Sequence, residues 1–271
     1  MTDNQCVNFL QWALPRLGLR WQGFRKVRRQ VCKRIDKRIA ELNLSSIFRY
    51  QDYLEENPGE WRVLSRLCRV TISRFFRDRI VFDYFAADVF PAITVYFTEK
   101  NCSTIRVWSC GCASGEEPYT VAMLWHYVIR PKHPDLLLEI IATDIDPVLI
   151  GRAEEACYPA SSLREIPEEW FSDAFNEING IFCLKKYLKK YVRFELQDIR
   201  EKLPGEMYHV VLCRNLAFTY FDQEAREQSL KRLSMATEKG GVLITGRHEL
   251  LAVEGPDFVP WIEHMPIFQK V

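Results

Sequence analysis

In the stretch "RVWSCGCASGEEPYTVAMLW", residues 106–125, an apolar run stops at a cluster of small residues, Cys110 to Gly115. Two carboxylates, Glu116 and Glu117, then open a helical pattern. A small-residue turn between strand and helix lets a ligand approach the backbone closely, and the helix N-terminus adds partial positive charge. In a dinucleotide site that charge meets a pyrophosphate through G-x-G-x-x-G. Here Gly111 and Gly115 are spaced differently, and carboxylates at the mouth repel phosphate. No Gly-Lys-Ser/Thr follows the turn, which excludes a P-loop. Taken alone, Glu116 and Glu117 also suit an ordinary helix start. Asp144 closes "LLEIIATD" where a ribose-binding carboxylate belongs in a doubly wound sheet; it also fits a helix cap, although Asp146, directly before Pro147, fits that role better. Together, turn and aspartate point to a cationic adenosyl ligand without phosphate. S-adenosylmethionine carries a sulfonium, an ammonium and two ribose hydroxyls.

Such a site needs a scaffold of alternating strands and helices, and the chain supplies one from residue 104 onward. Strands are expected at "TIRVWSC", "LLEIIATD", "YVRFEL", "YHVVLCR" and "GGVLITG", with helices at about 117–129, 147–157 and 223–237. Apolar strands separated by amphipathic helices imply a parallel sheet covered on both faces, an α/β doubly wound architecture. Before it the pattern is helical throughout. Phe24, Val27, Val31, Ile35, Ile39 and Leu42 recur at helical spacing, and "SSIFRYQDYLEENPGEW" reads as a serine-capped helix closed by Asn57-Pro58-Gly59. The boundary is expected near residue 98, giving a helical domain over 1–98 and an α/β domain over 99–271. The aromatic and basic segment "GIFCLKKYLKKYVRF" interrupts the alternation as a small antiparallel insertion, at about 158–193. No internal repeat is evident, which excludes a solenoid.

Composition narrows the function classes. A chain of 271 residues, 48% hydrophobic, can bury a sizeable core, and a formal net charge of +1 argues against a surface built for nucleic acid. The nine cysteines include no CxxC pair and no histidine at zinc-finger spacing, so no metal site is expected and they read as reduced, mostly buried thiols. No apolar run reaches the ~20 residues that span a bilayer, so no membrane insertion is expected. A cytoplasmic monomer is the resulting expectation.

Four motifs in order, "TISRFFRD" (71–78), "GEEPYT" (115–120), "ATDID" (142–146) and "LCRNLAFTYFD" (212–222), resemble the CheR-type chemotaxis receptor methyltransferases. The resemblance covers nearly the whole chain. It implies a Rossmann-like class I S-adenosylmethionine-dependent methyltransferase sheet, an N-terminal all-α domain with a linker helix, and an inserted β-subdomain. The implied reaction esterifies glutamate side chains of a protein and leaves S-adenosylhomocysteine. By the same resemblance the cofactor pocket comprises Thr71, Ser73, Arg77, Cys110, Glu116, Asp144, Ile145, Asp198, Ile199, Asn215 and Leu216. Glu116 would hold the ammonium, Asp144 the ribose hydroxyls, and Asp198 would lie near the adenine. Arg77 and Tyr220 are the residues expected closest to the reacting centre. Apart from the family, Arg77 also fits a surface salt bridge and Tyr220 a core position. Arg214-Asn215 follows the apolar strand "YHVVLC" at the carboxyl edge, where open α/β sheets bind ligands. His209, within that strand, reads as a core histidine.

From Arg20 to Arg38 the chain carries nine basic residues against one acidic, Asp36, and reads as one basic amphipathic helix. It fits a solvated face, nucleic acid or an anionic membrane. The resemblance favours an acidic protein partner, a chemoreceptor cytoplasmic segment, bound through Arg28, Arg29, Arg34 and Arg38, with Arg214 added on the acceptor side. Tyr187, Tyr191 and Lys185, Lys186, Lys189 and Lys190 match the place where some family members bind a receptor tail by strand addition. Departures fall mainly near the acceptor. Thr71 and Ser73 replace a common Asn and Thr, the turn is less alanine-rich, "RNLAFTYFD" carries one extra residue, and Arg247-His248-Glu249 stands where the family shows His-Ser-Glu. They keep open a methyltransferase of the same architecture with another acceptor, and a non-catalytic S-adenosylmethionine-binding protein.

Overall fold

A computed structural model describes residues 1–249 and 257–271. The chain forms two compact units, Met1–Thr71 with Leu216–Glu227, and Ile72–Asn215 with Gln228–Val271.

The first unit is helical. Helix Asp3–Ala13 opens with a capping box in which the Thr2 hydroxyl accepts from the Gln5 N–H and the Gln5 side chain accepts from the Thr2 N–H. Helices Arg28–Glu41, Ile47–Glu56 and Glu60–Leu67 follow, the second capped by Ser46. Phe9, Leu10, Val31, Ile35, Tyr50, Leu54 and Leu64 are buried. The basic stretch is not one helix. Arg20 is extended, Trp21–Phe24 makes a single turn, and the long helix begins only at Arg28. Gly23 in that turn weakens helical continuity, and backbone groups at 18–20 pair with the 220–222 segment instead.

Among the described residues the second unit holds ten strands: β1 Thr104–Cys110, β2 Leu137–Asp144, β3 Cys157–Pro159, β4 Phe175–Ile178, β5 Ile181–Leu184, β6 Val192–Leu196, β7 Tyr208–Cys213, β8 Thr237–Thr245, β9 Phe258–Pro260 and β10 Ile267–Lys270. Seven form one sheet in the order β6-β2-β1-β7-β8-β10-β9. Its first five strands run parallel, and β10 and β9 join antiparallel. The five expected strands are those five. The order reverses between β1 and β7, so their carboxyl ends frame the switch-point crevice where open α/β sheets bind ligands. Val107 and Trp108, on opposite faces of β1, are both buried, as expected of a doubly covered parallel sheet. The insertion is a three-stranded antiparallel sheet, β3-β5-β4. Helix Glu116–Leu124 continues through Trp125–Ile129, and helix Pro147–Glu155 follows β2.

Two expectations change here. The units divide at Thr71, not near residue 98, because the helix of residues 79–99 buries Phe82, Phe85, Val89, Phe90, Ile93 and Phe97 in the core of the sheet unit. That 21-residue helix is also long and apolar enough to cross a membrane by length and composition, contrary to the expectation that no run is. Its apolar face reads as the inside of this core.

The cysteines divide as well. Cys6 is bonded to Cys32, and Cys157 to Cys183, while Cys68, Cys102, Cys110, Cys112 and Cys213 are free. The reading of all nine as thiols fails for four because tertiary neighbours decide pairing: Cys157 and Cys183 are directly opposite on β3 and β5.

Candidate functional site

The turn after β1 takes left-handed backbone conformations at Gly111, Ala113 and Gly115, with φ of 76°, 50° and 91°. Gly115 has no alternative, since a Cβ there would lie 2.9 Å from the Ala153 Cβ. The turn is pinned from β2. Gly111 and Cys112 donate N–H bonds to the Thr143 carbonyl at 2.8 and 3.0 Å, and Ala113 donates to Asp144 Oδ2 at 3.0 Å. Asp144 Oδ1 accepts from the Asp146 N–H at 2.9 Å, while Asp146 caps the next helix through Val148, as its place before Pro147 foretold. From the inserted sheet, the Tyr158 hydroxyl donates to the Ser114 carbonyl at 2.8 Å. Asp144 thus sits against the glycine turn, at the end of the neighbouring strand.

Glu116 opens the helix and is 4% exposed. Its Oε2 is buried without a hydrogen-bond partner among the described residues. Burial raises its pKa above the ordinary carboxylate value, against which its own backbone N–H and the Ser73 hydroxyl favour ionisation. A buried carboxylate oxygen left open at a helix mouth is costly on its own and suits an incoming cation. Its neighbour is arranged otherwise. Glu117 Oε1 accepts from the Ser109 hydroxyl at 2.8 Å and Oε2 accepts from Arg214 at 3.2 Å.

Arg214, expected to bind the acceptor, is buried, with 2% of its side chain exposed. Its Nη2 donates to the Arg77 carbonyl at 2.7 Å and to Asp78 Oδ2 at 3.0 Å, and its guanidinium lies 4.7 Å from the Phe82 ring centroid. It is an internal anchor for the 76–78 loop; the sequence exposes only its charge, not its depth. That loop is strained, with Phe76 and Asp78 left-handed at φ of 52° and 62°. The Phe76 N–H donates to the Thr120 hydroxyl at 3.1 Å, which donates to the Glu116 carbonyl at 2.7 Å. Arg77 is therefore tied by its own backbone and its neighbour's to the helix that carries Glu116. Its side chain donates to the Ile72 carbonyl at 2.5 Å.

The remaining expected residues separate by unit. Ser73, Arg77, Cys110, Glu116, Asp144, Ile145, Asp198, Ile199 and Asn215 belong to the sheet unit, whereas Thr71, Leu216 and Tyr220 belong to the helical unit. Asp198 follows β6, whose Leu196 pairs with Asp144, and its carboxylate is gripped by Arg200 at 2.8 to 3.1 Å. Cys110 and Cys213 are neighbouring buried thiols, with the Cys110 pKa raised by burial. Asn215 is left-handed, and its N–H donates to Glu249 Oε2 at 2.9 Å. Glu249, missed from the sequence, also accepts from the Gly246 N–H at 2.6 Å and ties the ends of β7 and β8 together. The signal was available in its place within the His-Ser-Glu position of the resemblance. His209 is a core residue: its Nδ1 accepts from the Arg106 N–H at 2.9 Å, and burial lowers its pKa to about 4.

On the helical unit two of the four expected acceptor-binding arginines, Arg34 and Arg38, turn inward, while Arg28 is paired at the surface and Arg29 is exposed. Arg38 makes a two-pronged pair with buried Glu60 at 2.8 and 2.9 Å, and Glu60 also accepts from Tyr50. Arg34 donates to the carbonyls of Leu67 and Arg69, and Arg28 pairs with Asp3. The exposed cations of helix Arg28–Glu41 are Arg29, Lys33 and Lys37, spaced by four and so on one face.

Known proteins resemble this chain over most of its length. The family model described as CheR methyltransferase, SAM binding domain, matches residues 71–264. A chemotaxis protein methyltransferase of Borreliella burgdorferi is 28% identical, over 79% of this chain and 81% of that protein. One from Listeria monocytogenes is 30% identical, over 68% of this chain and 66% of its own length. The Escherichia coli chemotaxis protein methyltransferase is 26% identical, over 82% of this chain and 76% of that protein.

Proposed function

Because this chain belongs to the CheR methyltransferase family, with S-adenosylmethionine as its cofactor, we propose that it methylates glutamate side chains of an acidic protein, the cytoplasmic segment of a chemoreceptor. The observation that carries the reading is the open Glu116 oxygen, buried at the mouth of a left-handed turn that Asp144 secures. It gives an ammonium a charge-assisted partner, and Asp144 lies one strand away for the ribose hydroxyls. Asp198, Ile199 and Asn215 complete the part of the pocket that the sheet unit supplies in this reading.

When bound, the cofactor would supply a methyl group on a positively charged sulfur: the glutamate oxygen would bond to the methyl carbon while the sulfur left with the C–S electron pair, as neutral S-adenosylhomocysteine. No proton moves in that exchange, so the protein's work is orientation and exclusion of water. Arg77, on its strained loop, holds the incoming carboxylate, and Tyr220 orients the reacting groups. The outward face of Arg29, Lys33 and Lys37 draws the acidic partner in, replacing Arg28, Arg34 and Arg38 in that role. The protein works in the cytoplasm, where its substrate segment lies. A second reading, the same transfer to another acceptor, is favoured by Arg214, which is spent inside the protein and leaves the acceptor side with one fewer cation.

Calorimetric titration with S-adenosylhomocysteine tests the site. Micromolar binding by the wild-type protein, lost in Glu116→Ala and Asp144→Ala, is the expected result; no binding to folded wild-type protein would sink the cofactor reading. Transfer of labelled methyl from S-adenosylmethionine to a purified chemoreceptor cytoplasmic fragment, as base-labile ester, then decides between the two acceptors.

A further inference from the structure

The segment that carries Tyr220 is built into the helical unit. The Arg20 N–H donates to the Tyr220 carbonyl at 2.9 Å, the Asp222 N–H donates to the Gly18 carbonyl at 3.0 Å, and Leu19 bridges Phe221 in antiparallel fashion. Residues 18–20 and 220–222 are thus a two-stranded clasp. The Arg20 side chain adds to it: Nε donates to the Thr219 carbonyl at 3.0 Å, and Nη2 donates to the Phe218 carbonyl. These carbonyls end the short helix Ala217–Tyr220, so a guanidinium there also favours the helix dipole. The ring of Phe24 meets Tyr220 edge-on, centroids 5.2 Å apart.

Gly23 makes the approach possible. A Cβ at that position would run into the Thr219 carbonyl and would stand 3.1 Å from Tyr220 Cδ1. Any side chain at 23 therefore moves either the turn Trp21–Phe24 or the backbone at 219–220. Because 219–220 is also held by the clasp, the displacement reaches the Tyr220 ring.

We propose that Arg20 and Gly23 are positioning residues for Tyr220, so that contacts within the helical unit set the placement of that side chain. This rests on the reading of Tyr220 given above. The short helix within "RNLAFTYFD" is thus fixed at its end by contacts from residues 18–20.

The test uses the full chain with Arg20→Lys, Arg20→Met, Gly23→Ala and Tyr220→Phe, singly and combined. Methyl transfer to the chemoreceptor fragment gives kcat and KM, and calorimetry gives the S-adenosylhomocysteine Kd. Gly23→Ala and Arg20→Met are expected to lower kcat about 30- to 100-fold, as a misplacement near 1 Å does, with KM and Kd within about threefold of wild type. Arg20→Lys, which keeps the charge, should recover part of the loss. In the Tyr220→Phe background each substitution should cost less than about threefold more, because residues acting through one group are not additive. Amide exchange at 217–222 should quicken in Arg20→Met while 137–144 stays protected. Full additivity with Tyr220→Phe, an unchanged kcat, or unchanged exchange overturns the inference. If Tyr220→Phe alone leaves kcat intact, the assignment of Tyr220 fails instead.

Discussion

Glu116 and Glu117 are adjacent in one helical turn, both largely buried, yet they are finished differently. Glu117 is closed: Ser109 serves one oxygen, Arg214 the other, and Arg214 goes on to Asp78 and the Arg77 carbonyl. Glu116 is left with an oxygen that nothing in the described protein satisfies. A buried charge with its partners in place is scaffold, and one without them is a seat for a ligand that brings the missing charge. The same turn therefore holds the framework and the proposed binding group side by side, and the two should respond to mutation with opposite signs in stability.

The scaffold half should give the largest effect. Arg214→Met removes the buried cation from two half-buried carboxylates, Asp78 and Glu117, and frees the 76–78 loop. Breaking such a network costs about 3 to 5 kcal/mol, or roughly 10 °C in Tm for a chain of this size. Thermal unfolding measures it directly. A Tm within a degree or two of wild type would show that Arg214 is not the anchor described.

The seat half should move the other way. In the free protein Glu116→Gln removes a buried charge that is only partly compensated, its Oε2 having no partner among the described residues, so thermal stability should rise by about 1 kcal/mol. At the same time affinity for S-adenosylhomocysteine should fall about 30-fold or more, the worth of a charge-assisted hydrogen bond to its ammonium. The pH dependence follows from the raised pKa. In the folded protein Glu116 holds its proton at a pH where the unfolded chain has lost it, so its contribution makes the free protein less stable as pH rises through that window. Binding requires the ionised form. Wild-type affinity should therefore weaken as pH falls toward that window, and the Glu116→Gln protein should bind weakly with little slope. Calorimetry at stepped pH reads both, and a steep acid decline retained in Glu116→Gln would assign it to another group.

The contrast also separates what the sequence shows from what it hides. The strand and helix alternation, the turn at 110–116 and Asp144 at the end of β2 were legible because periodicity and local turn chemistry determine them within about ten residues. Asp146 as a cap was legible from the proline beside it. The fate of Arg214 was not, since its partners lie at positions 77, 78 and 117, brought together only by the sheet. Glu60 and Arg38, 22 residues apart, were hidden for the same reason, as were the Cys6–Cys32 and Cys157–Cys183 bonds. Helix 79–99 was read with the wrong unit because an amphipathic pattern says that a face is buried, not against what.

The smallest effects belong to the basic helix, where inward and outward arginines repeat the contrast on another unit. Arg38 holds the Glu60 carboxyl below its ordinary pKa, so the pair stabilises above the unfolded carboxylate value and loses that contribution as pH falls. Arg38→Ala should cost about 2 kcal/mol, Arg38 being partly exposed, and should do so whether or not a substrate is present. Arg29→Glu, Lys33→Glu and Lys37→Glu should each leave Tm within about 1 °C, since exposed charges contribute little to folding. Each should instead lower kcat/KM for the acidic receptor fragment by several-fold, about 3 to 10, mainly through KM and less so at high salt, where screening shortens the reach of the face. An unchanged kcat/KM in the triple variant at low salt would move the acidic partner off this helix, and leave the inward arginines as the reason the stretch is basic.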